Sequence, residues 1–213
     1  MDVDVIVPPI TNFLKVKLDQ STIDYLWKII DISKSKNAKF KHKLAGNISN
    51  SLLLDDIDEY FFRSVCVPLV KYYREQDFNG SDPTETNTLI TPTTNLVLKD
   101  IWVNYQYKTE FNPYHDHSGV YSFAIWLSIP YHWKDQMQLP QFIDIEEVNR
   151  KAGNFEFEYM DTLGGIANYA FNLSPDLEGT MLFFPAKLRH CVYPFYNEDK
   201  PRISVAGNLF LSP

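Results

Sequence analysis

Cysteine is scarce in this sequence. Its 213 residues contain only Cys66 and Cys191, and each lies in an apolar run. A disulfide framework needs more cysteines than this, so we expect two buried free thiols and a reducing compartment. Apolar residues make up 45% of the chain, including 15 Phe and 13 Tyr. This is enough to form one sizeable core without disulfide staples.

Long hydrophobic runs and an excess of positive charge are also lacking. No run approaches the roughly 20 apolar residues of a membrane span, and the N-terminal stretch, with its acidic Asp2 and Asp4, does not resemble a signal segment. Twenty basic residues face 27 acidic ones, a formal net charge of −7. Binding to phosphate backbones needs concentrated positive charge. We therefore predict a cytoplasmic protein with neither a membrane nor a nucleic-acid partner.

The first third of the chain has helical periodicity. An apolar stripe follows Ser21 and Thr22, either of which could cap a helix that reaches Ile32. A second stripe over 55–72 predicts another helix, with a kink at Pro68.

From residue 96 onward, short β-rich runs alternate with turn residues. The predicted strands cover 96–107, 120–131, 155–159, 166–173, 180–184, 190–195 and 202–211. Turns are predicted at 112–113, 164–165, 174–175 and 197–201, and 134–152 is predicted to be a polar excursion. Strands without intervening helices favour a mainly β fold with N-terminal helices, an antiparallel jelly roll. We predict a single domain over 1–213, in which a helical part (1–90) packs on one outer face of a β core (95–213).

Three of the five histidines form a pattern that suits metal binding. His115 and His117 are two residues apart, so both imidazoles project from the same side of an extended chain. His190 begins a predicted strand that a barrel can place beside them, and imidazoles suit iron(II), zinc or copper. A His-x-His pair is also compatible with an ordinary polar loop. His42 and His132 match nothing and are predicted to be surface or capping residues.

Arg202 is the second candidate functional residue. It begins the last predicted strand, on the face shared by Ser204, Ala206 and Asn208. A guanidinium buried on that face must find an anion. Its fork matches a carboxylate, and Ser204 could add a hydrogen bond. The alternative is a surface ion pair with Glu198 or Asp199.

Taken together, these motifs resemble the iron(II)- and 2-oxoglutarate-dependent oxygenases. That family's pattern is a His-x-acid pair, a distal His after a Gly-x-x-x-Phe-Pro-like run, and Arg-x-Ser about a dozen residues later. The matching segments here are 115–117, 179–185, His190 and 202–204. The likeness is strongest to the prolyl-hydroxylase-like branch and to small bacteriophage proteins, with which 43–49 also shares features. It implies a double-stranded β-helix that uses Fe(II), 2-oxoglutarate and O2.

The family position usually held by an acid is His117 here. From the resemblance, we predict that His115, His117 and His190 are the metal ligands. A second arrangement rotates Asp116 inward as a carboxylate ligand. A third takes His117 and Gly119 as the true pair, with Gly119 leaving room for a halide as in related halogenases.

The resemblance also implies a binding site for 2-oxoglutarate. Arg202 would hold the distal carboxylate, assisted by Ser204. The other predicted cofactor-binding residues are Gln106, Asn104, Ser122, Trp126 and Asn208. Gln106 lies nine positions before the first ligand, where the family has a polar contact, and Ser122 is placed to reach the same carboxylate. Trp126 is equally compatible with plain core packing.

The implied reaction is decarboxylation of 2-oxoglutarate to succinate and carbon dioxide, coupled to hydroxylation of a peptide, a protein side chain or a small metabolite. The resemblance further implies a bacteriophage-encoded enzyme in the host cytoplasm. The alternatives are a non-enzymatic jelly-roll binding or viral structural module, a halogenase-like variant, and a three-histidine dioxygenase that needs no 2-oxoglutarate.

Overall fold

The computed structural model describes residues 12–40, 45–75 and 95–212. Its strands are β1 Leu14–Lys17, β2 Asn50–Leu53, β3 Leu96–Gln106, β4 Asn112–His115, β5 Tyr121–Ser128, β6 Phe155–Met160, β7 Ile166–Phe171, β8 Thr180–Pro185, β9 Arg189–Val192 and β10 Arg202–Leu211. Its α-helices are α1 Gln20–Lys36, α2 Val67–Glu75 and α3 Trp133–Met137.

Two antiparallel sheets form the β core. The larger sheet has the order β1-β8-β5-β10-β3-β2, and the smaller has the order β4-β9-β6-β7. Within the larger sheet, β10 places Arg202 opposite Gln106 on β3 and Ser204 opposite Trp126 on β5. The predicted mainly β jelly roll is confirmed.

An aromatic core fills the space between the two sheets. Its buried residues come from the inner faces of both sheets and from the loops that join them: Trp126, Ile129, Tyr131, Phe155, Phe157, Phe171, Leu173, Leu182, Phe184, Leu188 and Phe195. This core forms the wall on which the pocket described below is built.

A second core lies on the outer face of the larger sheet. Leu26 and Ile30 of α1 and Phe61 pack there against Phe123 and Phe183. Because β8 is covered on both faces, all six of its residues are buried. This explains the unbroken apolar run of its sequence, since alternation disappears when neither face meets water.

The helices differ in detail from the prediction. The N-cap of α1 is Asp19, neither Ser21 nor Thr22, because its carboxylate accepts a hydrogen bond from the Thr22 N–H at 2.7 Å. The second predicted helix is divided into a 3-10 turn at Ile57–Glu59, a π-helical turn at Phe62–Cys66, and α2. Pro68 lies in the first turn of α2, so the irregularity falls just before the proline rather than at it.

Three strand features were not anticipated. The N-terminal part contributes β1 and β2 to the larger sheet. The predicted turn at 112–113 was wrong, since Asn112 and Pro113 begin β4. Pro113 is tolerated there because β4 is an edge strand and needs no N–H on its free side.

Several other predictions can be compared with the described residues. Cys66 and Cys191 are free and buried, as predicted. His132 caps α3, accepting a hydrogen bond from the Lys134 N–H at 3.2 Å. None of the helices in the described ranges is long and apolar enough to cross a membrane. His42 and residues 76–94 lie outside those ranges, and the single domain over 1–213 stays a prediction.

Candidate active site

The three predicted ligand histidines converge at one end of the smaller sheet. β4 pairs with β9 so that His115 lies directly opposite His190. His117 follows two residues after β4, where its N–H donates to the Ala186 carbonyl at 2.8 Å. One ring nitrogen from each histidine lies within 4.8 Å of the others, and the Nε2 atoms of His115 and His117 are 3.3 Å apart.

Each of these rings is held by an oxygen at its Nδ1 atom. The acceptors are the Pro113 carbonyl for His115 at 2.7 Å, the Leu188 carbonyl for His190 at 3.0 Å, and Asn208 Oδ1 for His117 at 2.6 Å. Because a carbonyl oxygen only accepts, each Nδ1 carries the proton. Each Nε2 then has a lone pair for a metal ion, and at His115 the metal would replace the Asn112 amide nitrogen, which lies 3.1 Å from Nε2 and donates to it.

Burial keeps these rings uncharged. Desolvation lowers the pKa of His117 to about 4, and it also lowers the pKa values of His115 and His190. For His190 the neighbouring His115 and His117 lower the pKa further. Neutral imidazoles are the metal-binding form, so the cluster is ready to coordinate at neutral pH.

The histidines open into a cavity of about 290 Å³ between the two sheets. Its lining includes the following predicted site residues: His115, Asp116, His117, His190, Asn104, Trp126, Arg202, Ser204 and Asn208. Aromatic side chains complete the wall, among them Trp102, Phe155 and Phe184. Most of the predicted site residues are therefore brought together in one cavity.

Arg202 is buried in this cavity wall, with 2% of its surface exposed. Its guanidinium donates to the Tyr131 hydroxyl, to the Gly153 carbonyl at 3.2 Å and to Gln106 Oε1. All three acceptors are neutral, and none of the ion pairs among residues 12–40, 45–75 and 95–212 involves Arg202. The alternative of a surface pair with Glu198 or Asp199 is therefore not seen. Its positive charge is positioned but not neutralised.

Gln106 and Asn104 occupy neighbouring positions on β3. The Gln106 amide nitrogen donates to the Glu110 carbonyl at 2.6 Å, while its oxygen accepts from Arg202. Gln106 thus orients the guanidinium. Asn104 lines the cavity, and its Oδ1 accepts a hydrogen bond from Ser51 at 2.7 Å.

Ser122 contacts Asn208, and its role in binding the co-substrate carboxylate stays a prediction. It is paired with Asn208 across β5 and β10, and its hydroxyl donates to Asn208 Oδ1 at 2.7 Å. Asn208 is six residues from Arg202 along β10, about 20 Å of extended strand. This position favours a role beside His117 over contact with the carboxylate that Arg202 would hold. Trp126 is buried and packs on Phe155, so it serves the core as well as the cavity wall.

The two alternative ligand arrangements find less support in this geometry. Asp116 forms an ion pair with Lys187 at 3.1 Å, and both side chains are largely exposed. Gly119 has a φ of +108°, and an added Cβ would lie 2.6 Å from the Leu209 carbonyl oxygen. A close backbone approach therefore explains the glycine without a halide.

Two structural supports of the site escaped the sequence reasoning. Tyr131 joins Arg202 to Gly153, because its hydroxyl also donates to the Gly153 carbonyl at 2.6 Å. On the outer face of the smaller sheet, Glu156 is fully buried and accepts hydrogen bonds from Tyr114 and from Lys151 at 2.8 Å. Burial alone would raise the pKa of Glu156, but these bonds outweigh it and lower the pKa. Neither support was evident from the sequence, since Tyr131 and Arg202, and likewise Tyr114 and Glu156, are far apart along the chain.

The cluster fits a transition-metal ion. Three neutral imidazoles offer nitrogen ligands from one side, which suits iron(II) and leaves positions open for other ligands. Nitrogens that share one metal ion lie about 3 Å apart, because each bond is about 2.1 Å long. The observed separations need only small side-chain movements to reach that value.

Comparisons with known proteins agree with this geometry. Residues 100–208, just over half of the chain, match the family model described as "Putative 2OG-Fe(II) oxygenase", where 2OG is 2-oxoglutarate. The chain belongs to this family, whose members use Fe(II), 2-oxoglutarate and O2. No curated protein matches the chain in sequence.

Solved structures share the fold at low sequence identity. A prolyl-4-hydroxylase from Pseudomonas putida is 11% identical with a TM-score of 0.55, over 95% of this chain and 94% of that one. The viral collagen prolyl hydroxylase of Paramecium Bursaria Chlorella virus-1 is 11% identical with a TM-score of 0.52, over 92% and 94%. The carbocyclase SnoK from nogalamycin biosynthesis is 7% identical with a TM-score of 0.57, over 95% and 80%.

Proposed function

We propose that this protein is an iron(II)- and 2-oxoglutarate-dependent dioxygenase that hydroxylates a peptide, a protein side chain or a small metabolite. The observation that carries the proposal is the buried Arg202 guanidinium in the same cavity as three converging histidines. A buried charge with no counter-ion costs free energy, and an incoming anion would offset that cost. The distal carboxylate of 2-oxoglutarate is the anion that the family requires.

Each group in the cavity then has a distinct task. His115, His117 and His190 would hold Fe(II) through Nε2, and the bound metal would supply the O2 activation that is coupled to decarboxylation of 2-oxoglutarate. Arg202 and Ser204 would bind the distal carboxylate, with Gln106 and Tyr131 fixing the guanidinium. Trp126 and Phe184 would exclude water from the reacting centre.

For the primary substrate we propose a class of compounds and not one particular compound. Two of the structural relatives are named as prolyl hydroxylases, which supports a peptide or small-molecule substrate. The formal net charge of −7 does not favour nucleic acid. We retain the bacteriophage origin and the host cytoplasm as parts of the proposal.

The direct test is succinate formation by purified protein. After metal removal, the protein is reloaded with Fe(II) without oxygen and then mixed with 2-oxoglutarate and O2. We expect a single iron ion per chain and slow uncoupled succinate formation without a primary substrate. His115→Ala and His190→Ala should lose both iron and succinate formation, because each removes one ligand.

His132→Ala serves as the matched control, since His132 caps α3 and lies outside the histidine cluster. It should retain iron and turnover. Wild-type protein that binds no iron, or His115→Ala and His190→Ala variants as active as wild type, would refute the proposed enzyme.

A further inference from the structure

The three candidate ligands are not held in the same way. His115 and His190 donate from Nδ1 to main-chain carbonyls, those of Pro113 and Leu188. His117 is the one ligand of the three whose Nδ1 is held by a side chain, since it lies 2.6 Å from Asn208 Oδ1, whereas Asn112 contacts His115 only at Nε2, at 3.1 Å. His117 is also the residue at which this chain departs from the His-x-acid pattern. The departure and the side-chain contact thus occur at one ligand.

Asn208 is itself fixed from two directions. Its Oδ1 accepts a second hydrogen bond, from the fully buried Ser122 hydroxyl at 2.7 Å. On the other side of β10, the register against β3 shifts between Asn208 and Leu209. The Leu209 carbonyl accepts from the Val120 N–H at 2.8 Å, which ties the loop carrying His117 back to this same point of β10. Asn208 therefore holds one orientation relative to the His117 ring.

We infer that Asn208, supported by Ser122, is the positioning residue that sets the tautomer and ring orientation of His117, so that an imidazole can coordinate where the family pattern has a carboxylate. The inference rests on the proposed function for the identity of the metal site. An amide oxygen cannot donate, so it places the proton on Nδ1 and directs the Nε2 lone pair toward His115 and His190. A partner of this kind also raises the basicity of the ligand.

Two substitutions of Asn208 should affect the Zn(II) affinity differently. Asn208→Leu keeps the shape but removes the acceptor, so His117 loses its preference for the Nδ1–H tautomer. Zn(II), a redox-inactive probe, should then bind about 10- to 100-fold more weakly. Asn208→Asp keeps an acceptor at the same place and adds negative charge, so Zn(II) should bind at least as tightly as to wild type.

The experiment has two readouts that do not depend on turnover. Long-range 1H–15N NMR of histidine-labelled, metal-free protein reports which nitrogen of His117 carries the proton. Competition with a chelator gives the Zn(II) affinity of each variant. We expect an Nδ1–H tautomer in wild type and Asn208→Asp, and a mixture of tautomers in Asn208→Leu. If Asn208→Leu does not fold, Asn208→Ala provides the same comparison.

Matched controls separate this effect from general damage. Asn172→Asp makes the same chemical change at an exposed position outside the cavity, and should leave the Zn(II) affinity unchanged. Ser122→Ala should weaken Zn(II) by less than Asn208→Leu does. Ser128→Ala, on the same strand but outside the cavity, should have no effect. Equal affinities for the two serine variants would remove Ser122 from the inference.

Failure of this inference is distinguishable from failure of the proposed function. The inference is overturned if wild-type His117 carries its proton on Nε2, or if Asn208→Leu binds Zn(II) as wild type does while His117→Ala loses it. If His117→Ala also binds Zn(II) with wild-type affinity, the three-histidine ligand set itself is wrong.

Discussion

At the scale of single residues, the cavity keeps its bases neutral and one cation charged. The three histidines lose their charge because burial disfavours the protonated ring. Arg202 remains charged, since an arginine side chain is not deprotonated in proteins. Its partners Tyr131, Gly153 and Gln106 provide oxygens without negative charge. The immediate partners of Arg202 therefore leave its charge available to an incoming carboxylate.

Replacing this guanidinium tests the co-substrate directly. Arg202→Lys should weaken 2-oxoglutarate binding by about 10- to 100-fold, because a point charge cannot reproduce the two-pronged hydrogen bonding of the fork. The metal affinity should barely change, as Arg202 is not among the converging ligands. Isothermal titration with 2-oxoglutarate and, separately, with Zn(II) measures both quantities.

The matched control is Arg189→Lys, which changes an exposed arginine that pairs with Glu158 at 2.6 Å. It should bind both ligands as wild type does. Unchanged 2-oxoglutarate affinity in Arg202→Lys would remove the main argument for this co-substrate.

At the scale of elements, the metal site depends on a very short strand. β4 has four residues and pairs with β9 at Asn112 and His115. Tyr114, on the opposite side of β4, donates to the buried Glu156 of β6, which links the edge strand to the middle of the sheet. The loop after β4 must then turn sharply at Gly119 to start β5. The position of His117 is set by these two constraints.

Gly119 provides a test of that turn. Gly119→Ala places a methyl group in a left-handed backbone and 2.6 Å from the Leu209 carbonyl oxygen. Gly164→Ala is the matched control, because Gly164 has a φ of +82° with nothing within 4 Å of the added Cβ. Gly119→Ala should lower the free energy of unfolding by about 1–3 kcal/mol more than Gly164→Ala, since overpacking adds to backbone strain.

Chemical denaturation of both variants gives this difference. Equal losses would mean that the close approach to Leu209 is relieved by movement of the loop. If the wild-type protein incorporates a halide into its product, the alternative in which Gly119 makes space for a halide is supported instead.

At the scale of the whole molecule, the buried histidines link stability to pH. An unfolded histidine binds a proton below about pH 6.5, whereas folded His117 does so only below about pH 4. Between these values the unfolded chain binds more protons than the folded one. Folding stability therefore rises with pH across this window and is lost as the pH falls. His115 and His190 act in the same direction.

We expect the metal-free protein to lose stability between pH 6.5 and pH 4, and the Zn(II)-loaded protein to lose more, because protons displace the metal. Urea unfolding at a series of pH values measures the free energy of unfolding. A triple variant, His115→Asn with His117→Asn and His190→Asn, should have a flatter profile in this range. A triple variant as pH-sensitive as wild type would show that other groups control the acid response.

The fold class could be predicted from local sequence patterns, because the apolar periodicity of each segment indicates its own secondary structure. The strand beginning at Arg202 was predicted with the observed limits, since its apolar alternation reports one covered face. The limits of α1 and the broken second helix were not, because Asp19 and the π-helical turn are decided by capping and packing. β4 was misread as a turn, since two of its four residues are Asn112 and Pro113.

What the sequence by itself determined is the list of chemical groups: three histidines, an arginine at a strand start, and a spacing that a jelly roll can bring together. Only the tertiary structure decided how those groups are used. It showed the Nδ1 acceptors, the neutral oxygens around Arg202, and Ser122 beside Asn208. The physical reason is that hydrogen bonds and desolvation depend on distances of a few ångströms between residues many positions apart. Pairing of β10 with β3 and β5 creates those distances.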